Sequence, residues 1–169
     1  MSLATYNDLL KEQVKDVYSA ETQLVDALPA MIEAASHPDL KHAFQHHLKE
    51  THGHVERLRT ASLELGFSTE GETCNAMAGL IAEAEEIINQ TGQGDVKDAA
   101  LIAAAQRVEH YEIAAYGTLC HLLSKTDNDQ AKGLLLDTLA EEKSADATLN
   151  DLATGHDGKT NIVEGAATS

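Results

Sequence analysis

The chain is predicted to be all-α: an antiparallel bundle of four long helices, with a short helix crossing between the second and third of them. Three observations predict this. Ala, Leu, Glu, Lys and Gln, all strong helix formers, dominate the composition, while prolines number only two. Apolar residues recur at alternating spacings of three and four, the period of a helix–helix seam. At 169 residues, 43% of them hydrophobic, the chain is long enough for one well-buried domain and short for two.

The first helix covers about residues 5–35, with the stripe Leu10, Val14, Val17, Glu21, Leu24, Leu28, Met31. Pro29 lies inside it and is expected to kink it, because proline lacks an N–H and crowds the carbonyl of Val25. The second helix opens on Pro38, a good first-turn residue, and runs to about residue 65. A short third helix, about residues 74–90, carries Met77, Leu80, Ile81, Ala84, Ile87 and Ile88 on one side and so packs on the bundle. Thr91, Gly92, Gln93 and Gly94 end it. The fourth helix begins after a candidate cap, Asp95, and reaches about residue 124. Asp127, Asn128 and Asp129 turn the chain into the fifth, which ends near residue 153. Short turns between helices one and two, and between four and five, make two antiparallel hairpins. Residues 1–154 thus form the bundle. Residues 155–169 lack apolar periodicity and are expected to be a polar, disordered tail.

Charge excludes several functions. Lys and Arg total 12 against 28 Asp and Glu, a net charge of -16. That argues against nucleic acid and against an anionic membrane surface as partners. Aromatic residues are 4% with no Trp, which weakens any base-stacking role. No apolar run approaches the roughly 20 residues of a membrane span. The N-terminus shows no signal-peptide core. Cys74 and Cys120 are too few for a disulfide scaffold and read as packing residues. A cytoplasmic location is expected.

The informative acids are those inside the stripes. Glu21 interrupts the first. In the fourth helix the stripe reads Ile102, Ala105, Glu109, Glu112, Tyr116, Leu119, Leu123. In the fifth it reads Leu135, Leu139, Glu142, Asp146, Leu149, Leu152. On the second helix Leu40, Ala43, Phe44, Leu58, Ala61 and Leu65 share a side with His47, His54 and, nearer its edge, Glu50, whereas His42, His46 and His52 point away. In an antiparallel bundle these mid-lengths coincide, so Glu21, Glu50, Glu109, Glu112 and Glu142 converge in the core, with Asp146 beside them. Removing carboxylates from water costs several kcal/mol each even after relaxation, and like charges repel. Bound cations are the simplest compensation. Carboxylate and imidazole donors suit iron or manganese, and facing carboxylates in a bundle are how dinuclear sites are built. The metal ligands expected are Glu21, Glu50, Glu109, Glu112, Glu142 and His54, around two iron or manganese ions. Tyr116 is placed to donate to a ligand carboxylate, Asp146 to back the site, and Glu141 and Lys143 to point into solvent. Gly53, inside a helix, suggests close approach of a neighbour or room for a ligand.

Several runs carry a family resemblance: Ala20-Glu21-Thr22-Gln23-Leu24, His47-Leu48-Lys49-Glu50-Thr51, Leu80-Ile81-Ala82-Glu83-Ala84, Val108-Glu109-His110-Tyr111-Glu112-Ile113-Ala114-Ala115-Tyr116 and Glu141-Glu142-Lys143. Together they resemble the YciE/YciF stress proteins, over about residues 5–153. The resemblance implies a ferritin-like, rubrerythrin-like bundle, a homodimer and a link to bacterial stress responses. One departure stands out. Active di-iron proteins of this fold usually carry Glu-x-x-His on two helices, but here Gly53 follows Glu50 and Ala145 follows Glu142 at that spacing. Two readings remain open. One is a ferritin-like stress protein with redox chemistry on ferrous iron, dioxygen or peroxide. The alternative is a non-catalytic structural or interaction protein that keeps the bundle and a vestigial site.

Overall fold

In a computed structural model, residues 3–71, 73–90, 92, 94–156 and 161–168 are described. The helices are α1 (Tyr6–Ala34), α2 (Pro38–Glu64), α3 (Asn75–Asn89), α4 (Asp95–Leu123), α5 (Asp129–Thr154) and α6 (Ile162–Thr168). Helices α1, α2, α4 and α5 form the bundle, and α3 lies against α1 and α4. The expected all-α architecture and crossover helix are therefore present.

Helix ends follow local chemistry. Thr5 and Asp8 form a reciprocal capping box at the start of α1. Pro38 occupies the first turn of α2, as expected. α1 continues through Pro29 to Ala34. The turn between α1 and α2 is held from outside: buried Asp98 of α4 accepts hydrogen bonds from the backbone N–H groups of Ser36 and His37, at 2.7 and 2.6 Å. Asn128 caps α5 by accepting from the Ala131 N–H at 2.9 Å. Asp95 is not the cap of α4. Gly94 takes that place with a positive φ of 78°, a backbone geometry that favours glycine, and Asp95 is the first helical residue. Thr91 and Gln93 of the expected break lie outside the described residues.

The tail also departs from expectation. Ile162–Thr168 is helical and rests on α4 and α5. Its anchor is Ile162, fully buried in the cluster with Leu101, Ile102 and Leu152. A single apolar anchor has no period for a sequence reading to detect. Residues 157–160 and 169 of the expected tail lie outside the described residues.

The bundle interior holds two apolar clusters. One contains Leu24, Leu28, Met31, Leu40, Phe44, Leu101, Ile102 and Leu149. The other contains Leu10, Val14, Val17, Leu58, Tyr116, Leu119, Leu123 and Leu135. Between them, at mid-length on every bundle helix, lies a polar belt. Gly53 flanks the belt on α2, but a Cβ there would meet nothing within 4 Å, so helix approach does not require glycine. Gly53→Ala is expected to stabilise the protein by about 0.5–1 kcal/mol, because alanine is the better helix former. Urea denaturation measures it, and a loss of stability would show that the position has another role.

Candidate metal centre

Each bundle helix brings buried polar groups to the belt. α1 supplies Glu21 between Val17 and Leu24. α2 supplies His47, Thr51 and His54, on the helix face shared with Phe44 and Leu58. α4 supplies Glu109 and Glu112, one turn apart, and α5 supplies Glu142. The helical period that buries the flanking leucines carries these groups inward with them.

The donors gather in two groups joined at Glu142. His47, Glu109, Glu112 and Glu142 each present a ligand atom within 4.8 Å of the others, and Glu21, His54 and Glu142 do the same. A carboxylate has two oxygens, so Glu142 is able to serve both. His54 Nδ1 lies 3.0 Å from Glu142 Oε1 and 3.4 Å from Glu21 Oε1, and His47 Nε2 lies 3.3 Å from Glu109 Oε1. These approaches are not aligned as hydrogen bonds. His54 Nδ1, both His47 nitrogens, both oxygens of Glu112 and of Glu142, and one oxygen each of Glu21 and Glu109 are buried with no hydrogen-bond partner among the described residues. An unpartnered buried polar atom costs about 1–3 kcal/mol. Donors that crowd a common point without bonding one another are arranged as ligands around a cation are.

Electrostatics in the metal-free protein reflect the crowding. Burial, then the negative charges of Glu142 and Glu21, push the Glu109 and Glu112 carboxyls well above the usual range. Burial raises Glu142 to about 7, with His54 pulling the other way. Burial lowers the His54 ring, but Glu142 and Glu21 outweigh it and hold its pKa at about 11. His47, buried and next to His54 and His46, is pushed down to about 3.

A second set of residues orients these donors. The Tyr116 hydroxyl donates to Glu21 Oε1 at 2.5 Å, as the sequence suggests. Glu141 corrects an expectation: it is not a solvated acid. Its Oε1 accepts from Arg57 at 2.8 Å, and its Oε2 lies 2.9 Å from His54 Nε2. The Arg57 guanidinium keeps the Glu141 carboxyl below its ordinary range, so it is an acceptor and His54 Nε2 carries the proton. His54 Nδ1 faces Glu21 and Glu142, and a cation that displaces its proton would meet the Nδ1 lone pair, the geometry by which a carboxylate fixes the tautomer of a metal-binding histidine. Cys74 does more than pack. It caps α3, accepting from the Met77 N–H, and its Sγ lies 3.0 Å from the Tyr111 hydroxyl, which donates to Asp16 at 2.6 Å. Cys120 packs in an apolar cluster, as expected.

Of the six expected ligands, five meet: Glu21, Glu109, Glu112, Glu142 and His54. Glu50 does not. It is half-buried, its Oε2 3.1 Å from His46 Nδ1, outside both donor groups. Asp146 lies to the side, 3.3 Å from His110 Nε2.

A family model described as Domain of unknown function (DUF892) matches residues 5–161. The chain belongs to the DUF892 family. Protein YciF of Escherichia coli (strain K12) is 47% identical over 154 residues, which are 90% of this chain and 93% of that protein. The crystal structure of the E. coli stress protein YciF superposes with a TM-score of 0.89 at 45% identity, covering 96% of this chain and 99% of that one. YcfI of Rhodopseudomonas palustris gives 0.84 at 42% identity, covering 88% and 95%. The DUF892 match spans both hairpins and the crossover helix, so the whole belt lies inside it.

Two residues that this DUF892 chain brings to the belt, His47 and Glu141, were not among the expected ligands. His47 was visible on the apolar side of α2, but a helical histidine in such a place is usually a packing residue. What marks it is that neither ring nitrogen has a hydrogen-bond partner among the described residues. Glu141 gave no signal, because its partner Arg57 comes from a helix distant in sequence.

Proposed function

We propose that this DUF892 protein is a ferritin-like stress-response protein whose belt holds a dinuclear iron or manganese centre. Glu21, Glu109, Glu112, Glu142 and His54 are the ligands, and His47 joins them. Glu50 belongs to the approach rather than the centre. The observation that carries this reading is the pair of donor groups sharing Glu142, with nine of their atoms unpartnered among the described residues. The donor set fits the ions: hard carboxylates with borderline imidazoles suit iron or manganese, and neither cysteine belongs to either group. When bound, such ions supply electron-transfer chemistry with ferrous iron, dioxygen or peroxide. The chain's part is to fix the donors on four helices, keep bulk water out with the two apolar clusters, and hold His54 in one tautomer through Glu141.

The test is metal content. Protein from iron- or manganese-supplemented cells is expected to carry close to two ions per chain, a count that Glu109→Ala with Glu112→Ala sharply lowers. Substoichiometric metal unchanged by that double substitution sinks the reading. Glu141→Gln is expected to weaken metal affinity about 10- to 100-fold, since it removes the charged partner of His54. Competition with a chelator of known affinity measures this. A homodimer, implied by family resemblance, is part of the proposal, and light scattering on the full chain tests it.

A second reading has its own observation. The His54 imidazolium between Glu21 and Glu142 offsets part of the buried charge without metal, and both Glu-x-x-His pairs are absent. Under it the protein is a non-catalytic structural or interaction bundle, and chelation leaves its melting temperature alone.

A further inference from the structure

Four side chains of α2 stand four residues apart: His42, His46, Glu50 and His54. Each step of four advances about 40° around a helix and about 6 Å along it, so this row winds from one face toward another. Burial follows the winding. His42 is exposed. The His46 side chain is 62% exposed and that of Glu50 22%. His54 is fully buried. Over about 18 Å the row therefore leads from solvent to the belt.

A cavity of about 460 Å³ lies along the same stretch, between α2 and α5. His42, His46 and Glu50 line it, and so do His47 and Glu109 of the centre. His47 is only 6% exposed, and neither of its ring nitrogens has a hydrogen-bond partner. The other ligands, Glu21, Glu112, Glu142 and His54, have no exposed surface at all. An ion must therefore reach them past a residue that does. Among the described residues no Lys or Arg lines the cavity, while Asp39, Glu50 and Glu109 do. Such a lining attracts a cation and repels an anion, and the net charge of -16 concentrates cations around it. Six waters occupy about 180 Å³ at about 30 Å³ each, so a hydrated divalent ion fits.

We propose that His42, His46 and Glu50 form an inbound path that captures a hydrated divalent transition-metal cation and hands it to His47 and Glu109. This rests on the metal-centre reading above. Two imidazoles one turn apart chelate such an ion, and His46 and Glu50 are close enough to share it. Each outer station has few donors and much water, so it binds weakly and releases inward. The belt, with four carboxylates and two imidazoles, binds tightly.

The test uses the full-length, metal-free protein and Co²⁺ as the probe, its d–d absorption followed by stopped flow. His42→Ala with His46→Ala is expected to slow Co²⁺ uptake at least tenfold and to leave the final Co²⁺ per chain as in the parent. Both side chains are exposed, so folding is not at stake. His52→Ala, exposed and off the cavity, is expected to load at the parental rate. Equal rates in the double variant and the parent overturn the path. So does equal slowing in His52→Ala, which would make it a general effect of surface histidines. A parent that binds no Co²⁺ overturns the metal-centre reading itself, an outcome separate from a parent that loads fully and a variant that loads as fast.

Discussion

Glu142→Gln is expected to empty the centre, taking metal from about two ions per chain to near zero, whereas Glu112→Gln removes a smaller share. Glu142 is the residue common to both donor groups. It is also the carboxylate nearest His54 Nδ1, at 3.0 Å. Glutamine keeps the shape and one oxygen but loses the charge that balances the cations, and a ligand shared by two ions acts on both, so the loss is not additive with that of a one-sided ligand. Elemental analysis of the two variants beside the parent checks it. Equal losses would mean that the ions are not joined at Glu142. Circular dichroism at the same time separates loss of metal from loss of fold.

The second large effect is on how stability depends on pH, and metal reverses its sign. In the metal-free protein Glu109 and Glu112 have raised pKa values and that of Glu142 is about 7, against 4.5 for an unperturbed glutamate. Groups raised on folding add stability that is complete below their unfolded value and is lost as pH rises through the folded one. His54, raised to about 11 from 6.5, acts in the same direction. As pH falls from 8 to 6 the folded metal-free chain therefore binds more protons than the unfolded chain, and it becomes more stable. His47 opposes this only below about 6.5, where the unfolded ring takes a proton that the buried ring, at about 3, refuses. With metal bound, the carboxylates are ionised and proton uptake competes with the ions, so acid destabilises. The melting temperature lost on adding chelator is thus expected to be largest at pH 8 and to shrink toward pH 5. Metal at 100 times its dissociation constant is worth about 2.7 kcal/mol. A chelator effect that is absent, or the same at every pH, rules out metal balancing these acids.

The helices and their hairpins were legible because they rest on local chemistry. The stripe from Leu10 to Met31 and the first-turn Pro38 carry their period and cap within a few residues. That Glu21, Glu109, Glu112, Glu142 and His54 meet in the core was legible for the same reason: a polar residue in an apolar stripe must go where the stripe goes. Glu50 was the exception, because it stands at the edge of its stripe, and a shift of about 40° around the helix separates the belt from the cavity. The small helix at 162–168 was hidden because it hangs on one residue, Ile162.

What the sequence by itself determined is the all-α bundle and the height at which its acids meet, since both follow from a period of 3.6 residues repeated over long helices. Tertiary structure alone decided the partners. Arg57 reaching Glu141, Glu141 turning His54, and Glu142 standing between two groups of donors each join helices far apart in the chain. Such contacts depend on how the helices are rotated against one another. That rotation is set by the packing of the whole core, and no local pattern encodes it.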